Sequence, residues 1–335
     1  MDGQGLPGGA FEDVEPLTGG TQNTLVRFRR GGRDYVLRRG PAHLRARTND
    51  VLRREARVLT ALDGTDVPAP RVIAACPDES VMNGAVFYLM TPVDGFNASV
   101  TLPDLHAGDA SVRHEMGLNA ARALSALGAV DHEAAGLGDF GKPEGFLERQ
   151  VSRWLSELDS YSALDGYPGP QIPGVDDVAR WLEERRPTTW RPGILHGDYH
   201  LANLMYSFGG PEVAAIVDWE MCTIGDPLLD LGWLLATWPR HGDESALLAG
   251  PLGAAGGLPA TDELVEAYAG RAGAVAGRDL SSITWYAVLA CFKLGIVLEG
   301  THARAYAGKA PKETGDLLHS ITLGLFRRAQ AFIAS

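Results

Sequence analysis

Residues 192–233, PGILHGDYHLANLMYSFGGPEVAAIVDWEMCTIGDPLLDLGW, constrain the fold more than any other stretch of the chain. Short apolar runs there carry Asp, Asn and His at their ends. Asn203 to Ser207 and Val213 to Val217 read as strands, and the Phe208-Gly209-Gly210-Pro211-Glu212 between them is a turn-rich link of hairpin length. Folding back at Gly210-Pro211 sets Asn203 beside Asp218, with Asp198 on the loop just before. One hairpin thereby gathers a carboxylate, an amide oxygen and a second carboxylate at one edge. A hard cation such as Mg²⁺ is bound through one or two carboxylates plus substrate phosphates. A carboxylate with no metal to hold can take a proton from an attacking hydroxyl.

The order His196-x-Asp198, Asn203 five residues after the Asp, and Asp218 closing the next strand resembles the catalytic loop and metal-binding Asp of kinases. The wording HGDYHLANLM, IVDWE and GDPLLDLG is similar to the aminoglycoside phosphotransferase-like family of small-molecule kinases. Within it, the chain looks most like the subgroup that also forms the kinase domain of acyl-CoA dehydrogenase family members 10 and 11. The likeness covers nearly the whole chain, but its specificity is concentrated in residues 192–233.

That resemblance implies an α+β, two-lobed, protein-kinase-like fold. A small antiparallel β lobe with one helix (residues 1–92) would bind nucleotide. A larger, mostly helical lobe (residues 93–335) would carry the catalytic loop, metal site and acceptor pocket. The reaction implied is transfer of the γ-phosphoryl group of ATP, or GTP, to a hydroxyl of a small molecule, with Mg²⁺. Asp198 would accept the hydroxyl proton, Asn203 and Asp218 would hold the metal, and His196 would pack the loop.

Two readings from other classes stand beside it. His196, Asp198 and His200 alternate along one face and could form a hydrolase metal site, which leaves Asn203 and Asp218 without a role. A nucleotide-binding pseudokinase or scaffold is the other, motivated by departures in the first lobe. Asp226 before Pro227 is a helix start, with Asp as cap and Pro at the first helical position, and the resemblance adds that this Asp braces the catalytic loop. Asp230, among leucines, reads equally as a satisfied, partly buried carboxylate.

The first lobe carries weaker signals. Phe11 to Leu17 and Thr24 to Arg29 read as strands flanking Thr18-Gly19-Gly20-Thr21-Gln22-Asn23. Such a turn can lay backbone N–H groups over phosphates, or it is only a hairpin. The family's phosphate loop falls here, which implicates Gly19, Gly20 and Thr21, but the G-x-G-x-x-G pattern of protein kinases is absent. On the strand Arg33 to Arg39, Arg38 occupies the place of the kinase Lys. Arginine is permanently charged and forks onto phosphate; the alternative is a pair of solvated arginines. Asn49 to Leu62 has helical periodicity, and Glu55 falls on its apolar stripe with Val51, Val58 and Leu62. A carboxylate there is costly unless paired, and Arg38 is the obvious partner; a Glu at the stripe's edge that snorkels to water is the other reading. Arg71 to Cys76 and Gly84 to Met90 read as a strand pair. Thr91 to Gly95 then breaks the pattern, at the position of the family's hinge, implying adenine contacts at Met90, Thr91 and Val93.

Beyond residue 93 the periodicity is helical. Ser111 to Val130 has Ser111 as candidate cap, and Gly145 to Asp159, Val175 to Arg186, Pro227 to Trp238, Thr261 to Gly273, Ser281 to Ala307 and Thr314 to Ile333 follow. Arg240 to Pro259 reads as a mobile connection. Residues 131–184 hold 12 Asp/Glu against 4 Lys/Arg. That excess is either an acidic rim for a cationic acceptor or solvated helix surface.

A chain of 335 residues supports two lobes with real cores. No run of about 18 apolar residues appears, so no membrane span is expected, and no signal peptide is apparent. Three widely spaced cysteines, Cys76, Cys222 and Cys291, suit a reducing cytoplasm. A net charge of −12 repels nucleic acid. The partner expected is a small hydroxylated acceptor; neither its identity nor the oligomeric state is legible.

Overall fold

Five antiparallel strands open the chain, in the order β1-β2-β3-β5-β4. β1 (Glu12–Leu17), β2 (Thr24–Arg30) and β3 (Arg33–Arg39) come first. The β2–β3 turn is Gly31-Gly32, both at positive φ (57° and 74°), the geometry a tight right-twisted hairpin requires and glycine adopts without strain. Helix α1 (Thr48–Leu62) follows, then β4 (Val72–Cys76) and β5 (Phe87–Met90), which pair with each other. The computed structural model describes residues 1, 4–17, 23–41, 43–44, 46–240, 249–270 and 278–335. The expected phosphate-loop residues Gly19, Gly20 and Thr21 lie outside them.

The chain then crosses into a larger helical part. It contains β6 (Phe96–Asn97), α2 (Asp104–Gly108), α3 (Ala110–Ala129), α4 (Gln150–Ser160), α5 (Val175–Glu184) and β7 (Gly193–Leu195). The hairpin β8 (Leu204–Tyr206) and β9 (Val213–Ile216), then β10 (Thr223–Gly225), sit in its middle. The helices α6 (Leu228–Thr237), α7 (Gly250–Ala255), α8 (Thr261–Ala269), α9 (Ile283–Tyr306) and α10 (Lys312–Ala334) complete it. β6 joins the hairpin as a three-stranded sheet, and β10 pairs with β7. The architecture is α+β: an antiparallel sheet with one helix on a mainly helical body.

Several expectations shift. The cap of α3 is Asp109, whose carboxylate accepts from the Ser111 amide (2.8 Å) and hydroxyl (2.7 Å); Ser111 is the residue being capped. The helix read from Gly145 begins at Gln150, because Gly145 lies at φ 60°, outside the helical well. The buried face of α1 uses Leu52 with Glu55, Val58, Leu59 and Leu62, while Val51 is only half-buried. Of the connection read as mobile, residues 241–248 lie outside the described set and Gly250–Ala255 is helical.

With the short turn that leads into it, helix α9 is long and apolar enough to cross a membrane, its most apolar 18 residues having a mean hydropathy of 1.6, although no unbroken apolar run announced it. Its composition has a packing cause. Trp285 to Lys293, Ile296 and Ala303 are buried between α6 and α10, so this is the core helix of the body. Gly232 of α6 allows the crossing: a Cβ there would lie 2.5 Å from the Tyr286 backbone.

The sheet and the helical body are tied at named points. Arg54 of α1 donates to the carbonyls of Phe140 (2.8 Å) and Cys222 (3.1 Å) and stacks on the Phe140 ring. The Ile216 amide donates to the Pro68 carbonyl at 2.8 Å. These contacts set the cleft between sheet and body.

Candidate active site

The β8–β9 hairpin positions the central residues. The Val217 amide donates to the Asn203 carbonyl at 2.9 Å, one step beyond the Leu204–Ile216 pair, so Asn203 and Asp218 emerge side by side. Asp218 turns left-handed (φ 66°, ψ 64°), a conformation short polar side chains tolerate. The Asn203 amide nitrogen donates to the Asp198 carbonyl (2.9 Å) and carboxylate (3.1 Å). The amide nitrogen, not its oxygen, therefore meets Asp198. The expected trio is brought to one edge.

The loop before it is held by buried groups. His196 uses both ring nitrogens: Nε2 meets the Val217 carbonyl at 2.9 Å and Nδ1 accepts from the Asp198 amide at 3.3 Å. Burial lowers its pKa to about 4, so the neutral ring donates through Nε2. It packs edge-on against Trp219 (4.9 Å). Nothing remains on His196 to ligate a metal, which removes the geometric basis of the His196/Asp198/His200 hydrolase. Gly197 lies at φ 87°, and a Cβ there would sit 2.5 Å from the Met221 carbonyl.

The brace of this loop is Asp230, not Asp226. Asp230 accepts from the amides of His196 (2.6 Å) and Gly197 (2.9 Å). Burial pushes its carboxyl up to about 7 against the pull of those two bonds. Asp226 stands one residue before the position expected of the cap, since Pro227 is the residue that flanks α6; its carboxylate accepts from the Leu228 amide (3.0 Å) and from the Tyr286 hydroxyl (2.6 Å). One helical turn separates the two carboxylates, and only Asp230 reaches the end of β7.

Asp198 is partly exposed. Burial pushes its pKa up, but the His200 hydrogen bond and the attraction of His200 and Lys293 outweigh it and hold the carboxyl down at about 2. It is ionised at neutral pH and can accept a hydrogen bond.

Across the cleft, Arg38 forks onto Glu55 (Nε–Oε2 2.9 Å, Nη2–Oε1 2.6 Å) and reaches Asp218 at 3.0 Å. Arg38 and Glu55 are both buried, and the Tyr88 hydroxyl lies 3.4 Å from Glu55. Burial works against the guanidinium, but Glu55 and Asp218 keep its pKa raised. Burial likewise pushes the Glu55 carboxyl up while Arg38 pulls it back; the bidentate geometry is that of an ionised pair. Arg38 is therefore not a solvated arginine, while its neighbour Arg39 stays half-buried with its Nε on the Gly40 carbonyl.

Two cavities border these residues. One, of about 310 Å³, is lined by Val36, Arg38, Met90, Val93, Met205 and Asp218, and Thr91 also borders it. Thr91's amide is already donated to the Arg71 carbonyl at 2.9 Å. The other, of about 390 Å³, is lined by Asp198, Leu201, Trp233, Lys293, Val297 and Leu298.

Lys293 was not singled out from the sequence. It is buried, with Nζ 3.4 Å from the Gly197 carbonyl and 4.5 Å above the Trp233 ring. Burial lowers its pKa to about 8, against the pull of Asp230 and Asp198. The signal available was a lone lysine inside the apolar run AVLACFKLGIVL, since a buried lysine without a task is rare.

Comparison with known proteins agrees with this geometry. The model of the phosphotransferase enzyme family matches residues 13–267. Mouse acyl-CoA dehydrogenase family member 10 is 27% identical over 325 residues, covering 93% of this chain and 28% of that protein. Human acyl-CoA dehydrogenase family member 11 is also 27% identical, covering 96% of this chain and 40% of that protein. The chain thus spans well under half the length of these curated relatives. Among solved structures, a protein of Ralstonia eutropha provisionally named an aminoglycoside phosphotransferase is 30% identical, with TM-score 0.78 over 98% of this chain and 94% of its own. An aminoglycoside phosphotransferase in ternary complex with ADP and hygromycin B shares the fold (TM-score 0.56, 16% identity, 93% and 95% covered). The kinase-like fold and the family-model match across most of its length agree: the chain belongs to the phosphotransferase enzyme family.

Proposed function

We propose that this protein transfers the γ-phosphoryl group of ATP, with GTP as the alternative donor, to a hydroxyl of a small molecule bound beside Asp198. One chain of contacts carries the reading. Arg38, held by Glu55 on the sheet side of the cleft, reaches Asp218 on the body side, where Asn203 beside it is linked to Asp198, with one cavity against Arg38 and Asp218 and another against Asp198.

In this reading the 310 Å³ cavity takes the nucleotide. The adenine edge meets backbone at Met90, Thr91 and Val93. Because the Thr91 amide is already engaged, the donor there falls to Val93 and the acceptors to the carbonyls. Arg38, oriented by Glu55, grips the phosphates with its fork. The family likeness assigns Gly19, Gly20 and Thr21, which lie outside the described residues, to the same phosphates.

The donors at the floor fit Mg²⁺. Asn203 keeps its amide oxygen for a cation because its nitrogen serves Asp198, and Asp218 offers a hard carboxylate oxygen. The metal would neutralise charge developing on the transferred group. Asp198, ionised at neutral pH, accepts the hydrogen bond of the acceptor hydroxyl and takes its proton as the new ester bond forms. Asn203 fixes the Asp198 carboxylate, and Asp230 fixes the loop that carries it.

The acceptor cavity supports a hydroxy acid or hydroxyacyl thioester over a polycationic aminoglycoside. Its apolar walls are Leu201, Met221, Trp233, Leu294, Val297 and Leu298, which suit an acyl chain, and beside the carboxylates Asp198 and Glu220 the buried ammonium of Lys293 gives an acidic acceptor one counter-charge. The test is Mg²⁺-dependent ATP consumption by the purified protein. The panel comprises hydroxy acids and their thioesters, amino alcohols, macrolides and aminoglycosides, with Asp198→Ala as blank. Stimulation by the hydroxy-acid class alone is the expected result. Stimulation by aminoglycosides alone would refute the acceptor assignment, and ATP binding without turnover on any class would shift the weight to a pseudokinase.

A further inference from the structure

On the face of α9 away from the acceptor cavity lies a second polar cluster with no part in phosphoryl transfer. α9 carries Glu299 and His302 three residues apart, and α10 carries Asp316 and His319 three residues apart, so each pair lies on one helix face. The antiparallel packing of the two helices brings the four together. Gly315 permits the approach, since a Cβ there would lie 2.5 Å from the Ala305 methyl.

Glu299 is fully buried. One oxygen accepts the Tyr167 hydroxyl at 2.6 Å, and the other meets His319 Nδ1 at 2.7 Å. His302 is 8% exposed, and its buried Nδ1 has no hydrogen-bond partner. One oxygen of Asp316 lies 3.8 Å from it, while the other is held by Lys312. One donor atom each from Glu299, His302 and His319 lies within 4.8 Å of the others, and the two imidazoles stack at 4.3 Å.

A buried Glu–His ion pair explains Glu299 and His319. It leaves the buried His302 Nδ1 without a hydrogen bond, which buried polar atoms avoid. A ligand that accepts lone pairs from imidazole and carboxylate together explains all three.

We propose that Glu299, His302 and His319, with Asp316 as the partly exposed fourth donor, form a transition-metal site of Zn²⁺ type. Two imidazole nitrogens with one or two carboxylates are the donor set that Zn²⁺ takes in tetrahedral sites and Mg²⁺ does not. The Tyr167 hydroxyl on Glu299 is the outer hydrogen bond that orients a ligating carboxylate. Binding requires the 2.7 Å Glu299–His319 contact to open to the roughly 3.3 Å that separates tetrahedral ligands, and the two stacked imidazoles to rotate until both aim a nitrogen at one ion. The site joins α9 to α10 two turns along from Lys293, and so steadies the helix that walls the acceptor cavity.

The test uses untagged full-length protein, stripped with chelator and titrated with Zn²⁺ by calorimetry, with Co²⁺ as a visible-absorption probe. The expected result is one equivalent of Zn²⁺, a tetrahedral Co²⁺ spectrum, and a rise in Tm on adding Zn²⁺. All three persist in Asp218→Ala, which alters the candidate Mg²⁺ site. They are lost in His302→Ala and in His319→Gln, the second variant deciding if the first does not fold. No stoichiometric uptake by the unaltered protein would overturn the proposal. So would uptake that survives both histidine variants, or that disappears in Asp218→Ala, since the metal would then be adventitious or at the catalytic floor. Neither outcome bears on phosphoryl transfer.

Discussion

Replacing Arg38 by Met and Glu55 by Leu, singly and together, separates two roles of the buried pair. Each single change strands an ion. Glu55 is only 1% exposed, and without Arg38 its carboxylate keeps only the 3.4 Å contact to Tyr88. Stranding one member of such a pair costs about 3–5 kcal/mol, a large share of a typical total stability of about 5–15 kcal/mol. The double change fills the same space with apolar groups, and replacements of this kind are often close to neutral, so the loss should shrink to about 1–2 kcal/mol or less. Asp218 also loses its partner, but its side chain is 43% exposed and water replaces the guanidinium. Nucleotide affinity follows a different rule. A charge-assisted contact to phosphate contributes about 1.5–3 kcal/mol, so both variants lacking Arg38 should bind MgATP about 10- to 150-fold more weakly. Urea unfolding followed by tryptophan fluorescence reads the first effect, and titration with a fluorescent nucleotide the second. A double variant destabilised by the sum of the singles would refute the pairing argument. Unchanged nucleotide affinity in the double variant would refute the phosphate role of Arg38.

Lys293→Met should raise KM for an acidic acceptor while leaving nucleotide affinity intact. In the unaltered protein the lysine is charged below its lowered pKa of about 8 and neutral above it. KM should therefore climb as pH rises through 8, and stay flat in the variant; a parallel climb in both would place the titrating group elsewhere. Asp230→Ala orphans the buried amides of His196 and Gly197, at about 1–3 kcal/mol each, and should lower kcat about 100-fold by loosening the loop; wild-type kcat in a folded variant contradicts the brace. Gly232→Ala places a Cβ 2.5 Å from the Tyr286 backbone. Overpacking of about 1–3 kcal/mol should outweigh the ~1 kcal/mol gained in helix propensity, and a rise in Tm would show that the α6–α9 crossing has slack.

What the sequence discloses here depends on range. The Asn203–Asp218 juxtaposition is legible because both ends of a short hairpin lie within 16 residues. The Arg38–Glu55 pair is legible for a different reason: a carboxylate on an apolar helix stripe demands a cation, and the preceding strand supplies one. Asp109 and Ser111 are both good caps two residues apart, and only the backbone decides which accepts and which donates. The exchange of roles between Asp226 and Asp230 is of the same kind, because one turn of helix changes which carboxylate reaches β7. Lys293 stands 95 residues after Asp198 in the chain. No local pattern connects them, and their proximity follows from α9 packing against α6. The apolar length of α9 likewise reads as a span or a core helix until its neighbours are known.

The central claim is that Asp198 acts on the acceptor and not on the nucleotide. Asp198→Ala, compared with the unaltered protein in nucleotide binding and in single-turnover phosphoryl transfer to the acceptor class that stimulates ATP use, tests it most directly. The account predicts that MgATP affinity stays within about twofold, because Asp198 lies in the acceptor cavity and Arg38 and Asp218 in the other, while transfer falls by about 10²- to 10⁴-fold, the usual worth of a positioned base. Transfer that persists at the wild-type rate, or a variant that loses nucleotide binding and transfer together while remaining folded, would contradict it.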